Sequence, residues 1–361
     1  MPRVSIDALR AQIDRIDEQL LALLNRRARL AVRIGEHKRH TRASIYTPAR
    51  EKHIFQRLSE RNTGPLDSER IRPIFREIIA ACLSLEQPLK IACLGPLGTF
   101  SHQAVIEQFG TRTAITTVDS FSEVFDEVEH QRVDYGVVPV ENSTEGIVAA
   151  TLDRFVTSPL TIKAEVQLRI EQCLLSRSGR REPIRRIVSH PQSFGQCRHW
   201  LQQNFPGTPQ VEAASNAHAA QLAARDASVA AIAGRVAAEL CGLKVVASNI
   251  QDLAHNYTRF LVLTRDGTGK PSGDDKTSVL LSTPHESGAL FRVLKPFADN
   301  AVSLCNIESR PLKGHPWEYV FFLDMFGHVR ETHVAKALAA LKGRCLFYRV
   351  LGSYPAAPRP L

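Results

Sequence analysis

From Ser5 to about His40, apolar side chains recur at helical spacing without a break: Leu9, Ile13, Ile16, Leu20, Leu23, Leu30 and Ile34. Ser5, followed by Asp7, offers the N-terminal cap. Pro48 opens a second helix to about Arg61, and Asn62-Thr63-Gly64-Pro65 breaks the chain. A third helix runs from about Asp67 to Glu86, and Pro88 ends it. An all-helical unit of under about 90 residues buries little surface alone. A long first helix with no partner of equal length therefore predicts a dimer built across a two-fold axis.

The pattern changes at Lys90. Lys90–Leu94 is a short apolar strand that runs into Gly95-Pro96-Leu97-Gly98 and a helix from Ser101. Strand and helix patterns then alternate to about residue 265. Strand candidates include Ala114–Val118, Tyr135–Val140, Ile187–Ser189, Val229–Ala233 and Arg259–Leu263, which predicts an α/β layered region with parallel strands. The polar, glycine-rich Asp266–Asp275 reads as a linker. Beyond it lies a βαββαβ pattern. Its strands are Thr277–Ser282, Val302–Arg310, Tyr319–Phe326 and Leu346–Leu351, and its helices Ser287–Asp299 and Thr332–Leu341, a ferredoxin-like plan.

Composition narrows the function classes. The net charge of +9 is spread along the chain, with no interleaved aromatic pattern and no zinc-finger spacing, so nucleic acid is not the expected partner. No apolar run is long enough to span a bilayer, and the charged N-terminus has no signal-peptide core. Together these favour the cytoplasm and no membrane partner. Seven cysteines without a CxxC pair argue against a disulfide framework or structural zinc and read as buried thiols.

Arg27 and Lys38 lie eleven residues apart on one face of the first helix, roughly 16 Å apart along its axis, where they suit a small dianion. Arg10 projects about a quarter turn away and suits a second molecule's site. Single surface cations on a helix are usually just solvated. As a set, however, Arg10, Arg27, Lys38, Arg50-Glu51 and Glu86, with RRARLAVRIGEHK between them, resemble the all-helical chorismate mutases over nearly all of residues 5–87.

That resemblance implies the pericyclic rearrangement of chorismate to prephenate. The reaction needs no nucleophile, acid or metal, but a site that holds the compact conformer and stabilises charge on the breaking ether oxygen. By resemblance, Arg10 of the partner subunit and Arg27 bind carboxylates. Lys38 donates to the ether oxygen, Arg50 supports the charge balance, and Glu51 accepts from the ring hydroxyl. Thr47 stands where some members carry Asp, and Cys82 where some carry Ser. Glu86 stands where bacterial members often carry Gln. A carboxylate donates only when protonated, so the expectation is that Glu86 is held neutral by burial or that mutase activity falls as pH rises.

In the α/β region, Gly95-Pro96-Leu97-Gly98-Thr99-Phe100-Ser101 joins a strand to a helix, where backbone N–H groups suit an anion. Val138–Ser143, Ser189–Gln192 and Asn256–Phe260 also fall at strand ends, where ligands of open α/β sheets sit. Ser143 also fits a helix cap, and His190 a satisfied loop histidine. In that order, GPLGTFS, VPVENS, SHPQ and NYTRF resemble the prephenate dehydratases over about residues 90–265. The family's fold is two lobes like a type II periplasmic binding protein, with chain crossings expected near residues 165 and 245. The reaction removes the ring hydroxyl as water and the ring carboxylate as CO2. By resemblance, Thr258 donates to or positions the leaving hydroxyl, and Glu141 is a proton source if its pKa is raised in the closed cleft. Thr99, Ser101, Asn142, Ser143, Gln192, Arg259 and Phe260 are expected substrate contacts.

In the last segment, Ser287-Gly288-Ala289-Leu290 at a helix start and Glu308-Ser309-Arg310-Pro311 after a strand resemble the ACT domains of phenylalanine-regulated dehydratases. Gly288 lets a ligand approach the backbone and the helix start suits an amino-acid carboxylate. The bland alternatives are a close packing point at Gly288-Ala289 and a surface pair of Glu308 with Arg310.

The resemblance thus covers the whole chain. It implies an all-α mutase domain (1–88), an α/β two-lobed dehydratase domain (89–267) and an α+β ferredoxin-like ACT domain (276–354). The implied function is phenylalanine biosynthesis, with chorismate and prephenate as substrates, phenylalanine as effector, and no cofactor or metal. The implied assembly is a homodimer or higher homo-oligomer. A dehydratase whose weakened mutase domain serves as a dimerisation arm, a non-catalytic amino-acid sensor, and arogenate as substrate stay open.

Overall fold

The computed structural model describes residues 5–41, 44–312 and 319–358. The chain divides into two compact units: 1–47 with 53–89 and 109–114, and the remainder from 48–52, 90–108 and 115 onward.

The first unit is helical. It holds α1 (Ile6–Thr41), all of α2 (Pro48–Arg61) beyond its first turn, and α3 (Ser68–Glu86). Ser5 Oγ accepts from the Ala8 amide and Asp67 caps α3 by accepting from Arg70 N–H, so both starts satisfy orphan helix donors. Of α1, only Ala31 and Gly35 are buried. Leu9, Ile13, Ile16, Leu20, Leu23, Leu30 and Ile34 are each about half exposed, so most of the apolar stripe has no cover within one chain.

The second unit contains three sheets. The first lobe is built from β1 (Lys90–Leu94), α4 (Phe100–Phe109), β2 (Ala114–Val118), α5 (Phe121–Glu129), β3 (Tyr135–Asn142), β4 (Gly146–Ile147), α6 (Ala149–Thr157) and β5 (Thr161–Arg169). The second lobe follows with β6 (Cys173–Ser176), β7 (Arg186–Ser189), α7 (Pro191–Gln196), α8 (Arg198–Asn204), β8 (Gln210–Glu212), α9 (Asn216–Arg225), β9 (Val229–Ala233), α10 (Arg235–Cys241) and β10 (Lys244–Ala247). Strand β11 (Tyr257–Thr264) returns to the first lobe, whose strand order is β2-β1-β3-β11-β5; the second lobe runs β10-β6-β9-β7-β8.

The sheets are mixed, which corrects the expectation of parallel strands. β1 pairs parallel with β3, but β11 lies antiparallel between β3 and β5. The reason is the connectivity: the chain leaves the first lobe through 170–172 and re-enters through 248–256, so β11 arrives from the other lobe rather than from a crossover helix. Both crossings fall later than expected.

The third sheet comprises β12 (Asp275–Ser282), β13 (Leu304–Pro311), β14 (Tyr319–Phe326) and β15 (Phe347–Pro355), with α11 (Ala289–Asp299) and α12 (Thr332–Ala339). Its order, β13-β14-β12-β15, is all antiparallel and is that of a ferredoxin-like unit. Val279, Leu281, Leu323 and Met325 face Val293, Phe297, Val334 and Leu338 of the two helices. The other face supplies Leu280, Val320, Phe322, Leu351 and Tyr354 to the core of the first lobe, beside Leu152, Phe155 and Leu261.

Cys82, Cys93, Cys173 and Cys197 are buried free thiols, and burial pushes Cys93 up to about 12; Cys305 departs from the expected burial and is exposed. Among the described residues no helix is long and apolar enough to cross a membrane.

Candidate functional site

In the helical unit, Lys38 and Glu86 come together although 48 residues separate them: Lys38 Nζ lies 3.2 Å from Glu86 Oε2 and donates to Ile45 O at 2.7 Å. Gly35 makes this possible. A Cβ there would stand 3.0 Å from Glu86 Cα and Cβ, so any larger residue would push α3 away by a few tenths of an ångström at this level. Cys82 is buried one turn before Glu86 on α3. Arg27 donates to Ile78 O at 3.4 Å. Arg10 is largely exposed and ion-paired only locally, to Asp7 at 3.5 Å. On a continuous helix it stands about 42 Å from Lys38, far beyond side-chain reach within one chain. Thr47 precedes α2 without spending its hydroxyl on a cap, and Arg50 and Glu51 occupy the first turn of α2.

In the α/β unit, strands β1, β7, β8 and β9 each run into a helix (α4, α7, α9 and α10), so positive helix ends collect at the strand ends of both lobes. Two glycines show how near the lobes come. A Cβ on Gly98 would stand 3.4 Å from Ala217 and Ala237, and one on Gly234 would stand 3.2 Å from Phe100. Gly98 also holds φ +95, where an L side chain is strained. Thr99 caps α4, its Oγ1 accepting from His102 N–H and donating to Leu94 O. Ser101 is buried in the first turn. His102, 6% exposed, accepts the Gly98 amide on Nδ1 at 3.0 Å, and burial pulls its pKa below the usual histidine range.

This bond carries a sign. A histidine held neutral by folding binds fewer protons than the unfolded chain does, so stability falls as pH drops through the ordinary value of about 6.5. Protonation also removes the acceptor for Gly98 N–H. Thermal stability is therefore expected to decline below about pH 6.5, and that of His102→Asn, whose Oδ1 stands where Nδ1 does and does not titrate, to decline less; melting curves against pH check this. Burial lowers His328 in the same direction, so the difference between variant and parent is the readout.

Thr258 sits near the start of β11, 9% exposed, and its Oγ1 accepts from Asn142 Nδ2 at 2.8 Å. The same amide donates to Asn256 Oδ1 at 2.8 Å, while Asn142 Oδ1 accepts the Thr144 and Glu145 amides at 2.9 Å. Those two bonds fix which end of the Asn142 amide points at Thr258. With its lone pair engaged, the Thr258 hydroxyl keeps its proton to donate.

The remaining expected residues divide. Ser143 bridges backbone, accepting from Tyr257 N–H and donating to His255 O. Gln192 is exposed in the first turn of α7, which His190 caps by accepting Gln192 N–H. Glu141 is paired with Arg259 in the ladder, which places it on the strand face away from Thr258. Arg259 also points away, to Glu165 at 2.8 Å, Asp324 at 2.6 Å and Tyr354 Oη at 3.0 Å. Phe260 is a core side chain, 1% exposed. The structure therefore brings Asn142 and Thr258 together, and leaves the guanidinium of Arg259 and the ring of Phe260 elsewhere.

The NYTRF motif contains Asn256 without assigning it a contact, and nothing in the sequence marked a polar cluster on the second lobe. Ser189 and Ser193 donate to Asn216 Oδ1, and Gln172 bridges Ser193 and Gln196. Gln196 reaches Glu145 of the β3–β4 turn at 3.5 Å. Only Ser189 belonged to a motif that sequence reading had singled out.

In the third sheet, Gly288 takes φ +76 as the N-cap of α11, Ala289 is buried and Leu290 half-buried. On β13, Glu308 and Arg310 share one face and Ser309 the other. Arg310 pairs with Asp153 of α6 at 3.0 Å.

Against known proteins, the family model described as Chorismate mutase type II matches residues 9–87, and Prephenate dehydratase matches residues 91–268. A bifunctional chorismate mutase/prephenate dehydratase of Aquifex aeolicus is 46% identical over 353 residues, covering 97% of each chain. One from Neisseria gonorrhoeae is 44% identical over 351 residues, covering 96% of each. Among solved structures, a prephenate dehydratase from Arthrobacter aurescens in complex with L-Phe superposes with TM-score 0.69 at 35% identity, over 74% of this chain and 90% of that one.

Proposed function

Since the chain belongs to the family of bifunctional chorismate mutase/prephenate dehydratases, we propose how its own residues divide the work of phenylalanine biosynthesis. Residues 1–88 rearrange chorismate to prephenate, residues 89–267 convert prephenate to phenylpyruvate, and residues 276–354 form an ACT domain that senses phenylalanine.

For the mutase, the pairing of Lys38 with Glu86 carries the reading, because it places an ammonium donor against the residue expected at the ether oxygen. Arg27 and Lys38 take the carboxylates, Glu51 and Thr47 meet the ring hydroxyl, Arg50 balances charge, and Cys82 lines the wall. Arg10 enters from a second copy. The uncovered stripe on α1 supports that copy, as does the distance from Arg10 to Lys38 on one helix.

For the dehydratase, the 2.8 Å bond from Asn142 to Thr258 carries the reading. Prephenate lies between two lobes like those of a type II periplasmic binding protein. The helix starts at Ser101 and Gln192 take carboxylate charge, and Thr258 delivers its proton to the leaving hydroxyl. Aromatisation drives loss of CO2. Glu141, on the strand face away from Thr258, would serve as proton source only through intervening groups.

The effector seat is the α11 start with the β13 edge. Gly288 and Leu290 offer backbone N–H groups to a carboxylate beside Ala289, whose own N–H donates to Glu286 O, and Glu308, Ser309 and Arg310 lie on the strand that ends the sheet among the described residues, where a second copy would approach. The compartment of this enzyme is the cytoplasm.

Two assays on the full chain test the whole reading: chorismate loss, and phenylpyruvate formation from added prephenate, each with and without phenylalanine. Both reactions should run, with phenylalanine suppressing the second. Phenylpyruvate alone would leave the helical unit as a dimerisation arm, and neither reaction would favour a non-catalytic sensor.

A further inference from the structure

The residue next to Thr258 is tied to the ferredoxin-like unit. Arg259 projects from the opposite face of β11, and each of its three nitrogens is engaged. Nε donates to Glu165 on β5 at 2.8 Å, Nη1 to Asp324 on β14 at 2.6 Å and Nη2 to Tyr354 Oη on β15 at 3.0 Å. Ser278 on β12 closes the ring, bonded to Asp324 Oδ1 at 2.5 Å and to Tyr354 Oη at 2.6 Å. Lys276 reaches Glu165 at 2.8 Å, so two cations face two carboxylates. All but Lys276 are under a tenth exposed. Two strands of the C-terminal sheet thus bond one guanidinium of the dehydratase sheet, and a third braces both partners through Ser278.

The surroundings allow little independent movement. A Cβ on Gly352 of β15 would stand 2.3 Å from Ile162 O of β5, so the two backbones touch as only glycine permits. Close-packed seams of this kind shift between discrete arrangements rather than stretch. Both ladders of β11 carry an irregularity, the one with β5 between Val262 and Leu263 and the one with β3 nearer Thr258. The register with β3 slips between Arg259 and Phe260, leaving Val140 as an extra residue, and bulges of this sort re-aim neighbouring side chains.

We propose that the Arg259 cluster with Glu165, Asp324 and Tyr354 is the coupling element through which the state of the C-terminal module reaches the Thr258 hydroxyl. A shift of the sheet carries Asp324 and Tyr354, these carry the guanidinium, and the bulge lets the start of β11 follow, turning Thr258 relative to Asn142. Arg259 here positions Thr258 rather than touching substrate. The inference rests on the reading of Thr258 as the dehydratase residue and of the module as a phenylalanine sensor.

Full-length Tyr354→Phe, which removes one hydroxyl and no charge, and Asp324→Asn are the test variants. Phenylpyruvate formation is followed against phenylalanine concentration, and phenylalanine binding by calorimetry, with chorismate loss as the check on folding. The expected result is dehydratase activity without phenylalanine, and phenylalanine affinity, both within about threefold of the parent, while saturating phenylalanine suppresses dehydration at least about tenfold less than in the parent. Parental inhibition curves in Tyr354→Phe would overturn the coupling, whether or not Asp324→Asn folds. Weakened inhibition explained by equally weakened binding would overturn it too. A parent that phenylalanine neither binds nor inhibits would instead bring down the sensor reading, and the coupling with it.

Discussion

Thr258→Ala is expected to lower prephenate dehydration by about two to four orders of magnitude, the usual weight of a positioned proton donor, while chorismate rearrangement by the same chain stays at its parental rate. The expectation follows from one bond. Asn142 donates to Thr258 Oγ1 at 2.8 Å, so the hydroxyl proton is left for the substrate. Thr258→Ser keeps the hydroxyl and is expected to retain most activity. Asn142→Ala removes the donor and the one oxygen that accepts both turn-closing amides, and should act mainly on kcat. Steady-state phenylpyruvate formation measures all three, and near-parental turnover by Thr258→Ala would remove Thr258 from the mechanism.

The second large effect belongs to the helical unit. Lys38→Ala is expected to reduce chorismate turnover by about two to three orders of magnitude, the cost of losing one donor to charge developing on the ether oxygen, and Arg10→Ala by about one to two orders, the cost of losing a charge-assisted carboxylate contact. If Arg10 serves the partner's site, the two variants complement each other. In a mixed dimer one site carries both substitutions and the other carries neither. Random reassortment then restores roughly a quarter of parental activity. Recovery on mixing denatured and refolded chains would establish the shared site, and its absence would place Arg10 outside catalysis or the chain outside a two-fold dimer. Dehydratase activity in the same samples reports that both variants fold.

Local signals and tertiary ones parted company at identifiable residues. Pro48, Asp67 and the 3.6-residue periodicity set helix limits within a residue or two, because caps and proline act on adjacent backbone. Gly98 was legible within a strand–helix turn, where positive φ excludes most other side chains, whereas the positive φ of Gly288 emerged only in the structure. Strand β5 escaped notice. Lys163 and Glu165 within Thr161–Arg169 read as solvent-facing, yet both are buried, Glu165 against Arg259 and Lys276, and Lys163 with Asp266 at 3.8 Å. No local pattern marks a charge as buried when its partners lie about a hundred residues away.

The order of motifs along the chain, the change of period at Lys90 and the final βαββαβ run were thus determined by sequence alone, because each depends on residues near one another in the chain. Only the tertiary structure decided which way Arg259 faces, that β11 lies antiparallel, and that Asn142 meets Thr258. Side-chain direction on a strand follows pairing register, and register here depends on β3 and β5, each about a hundred residues from β11.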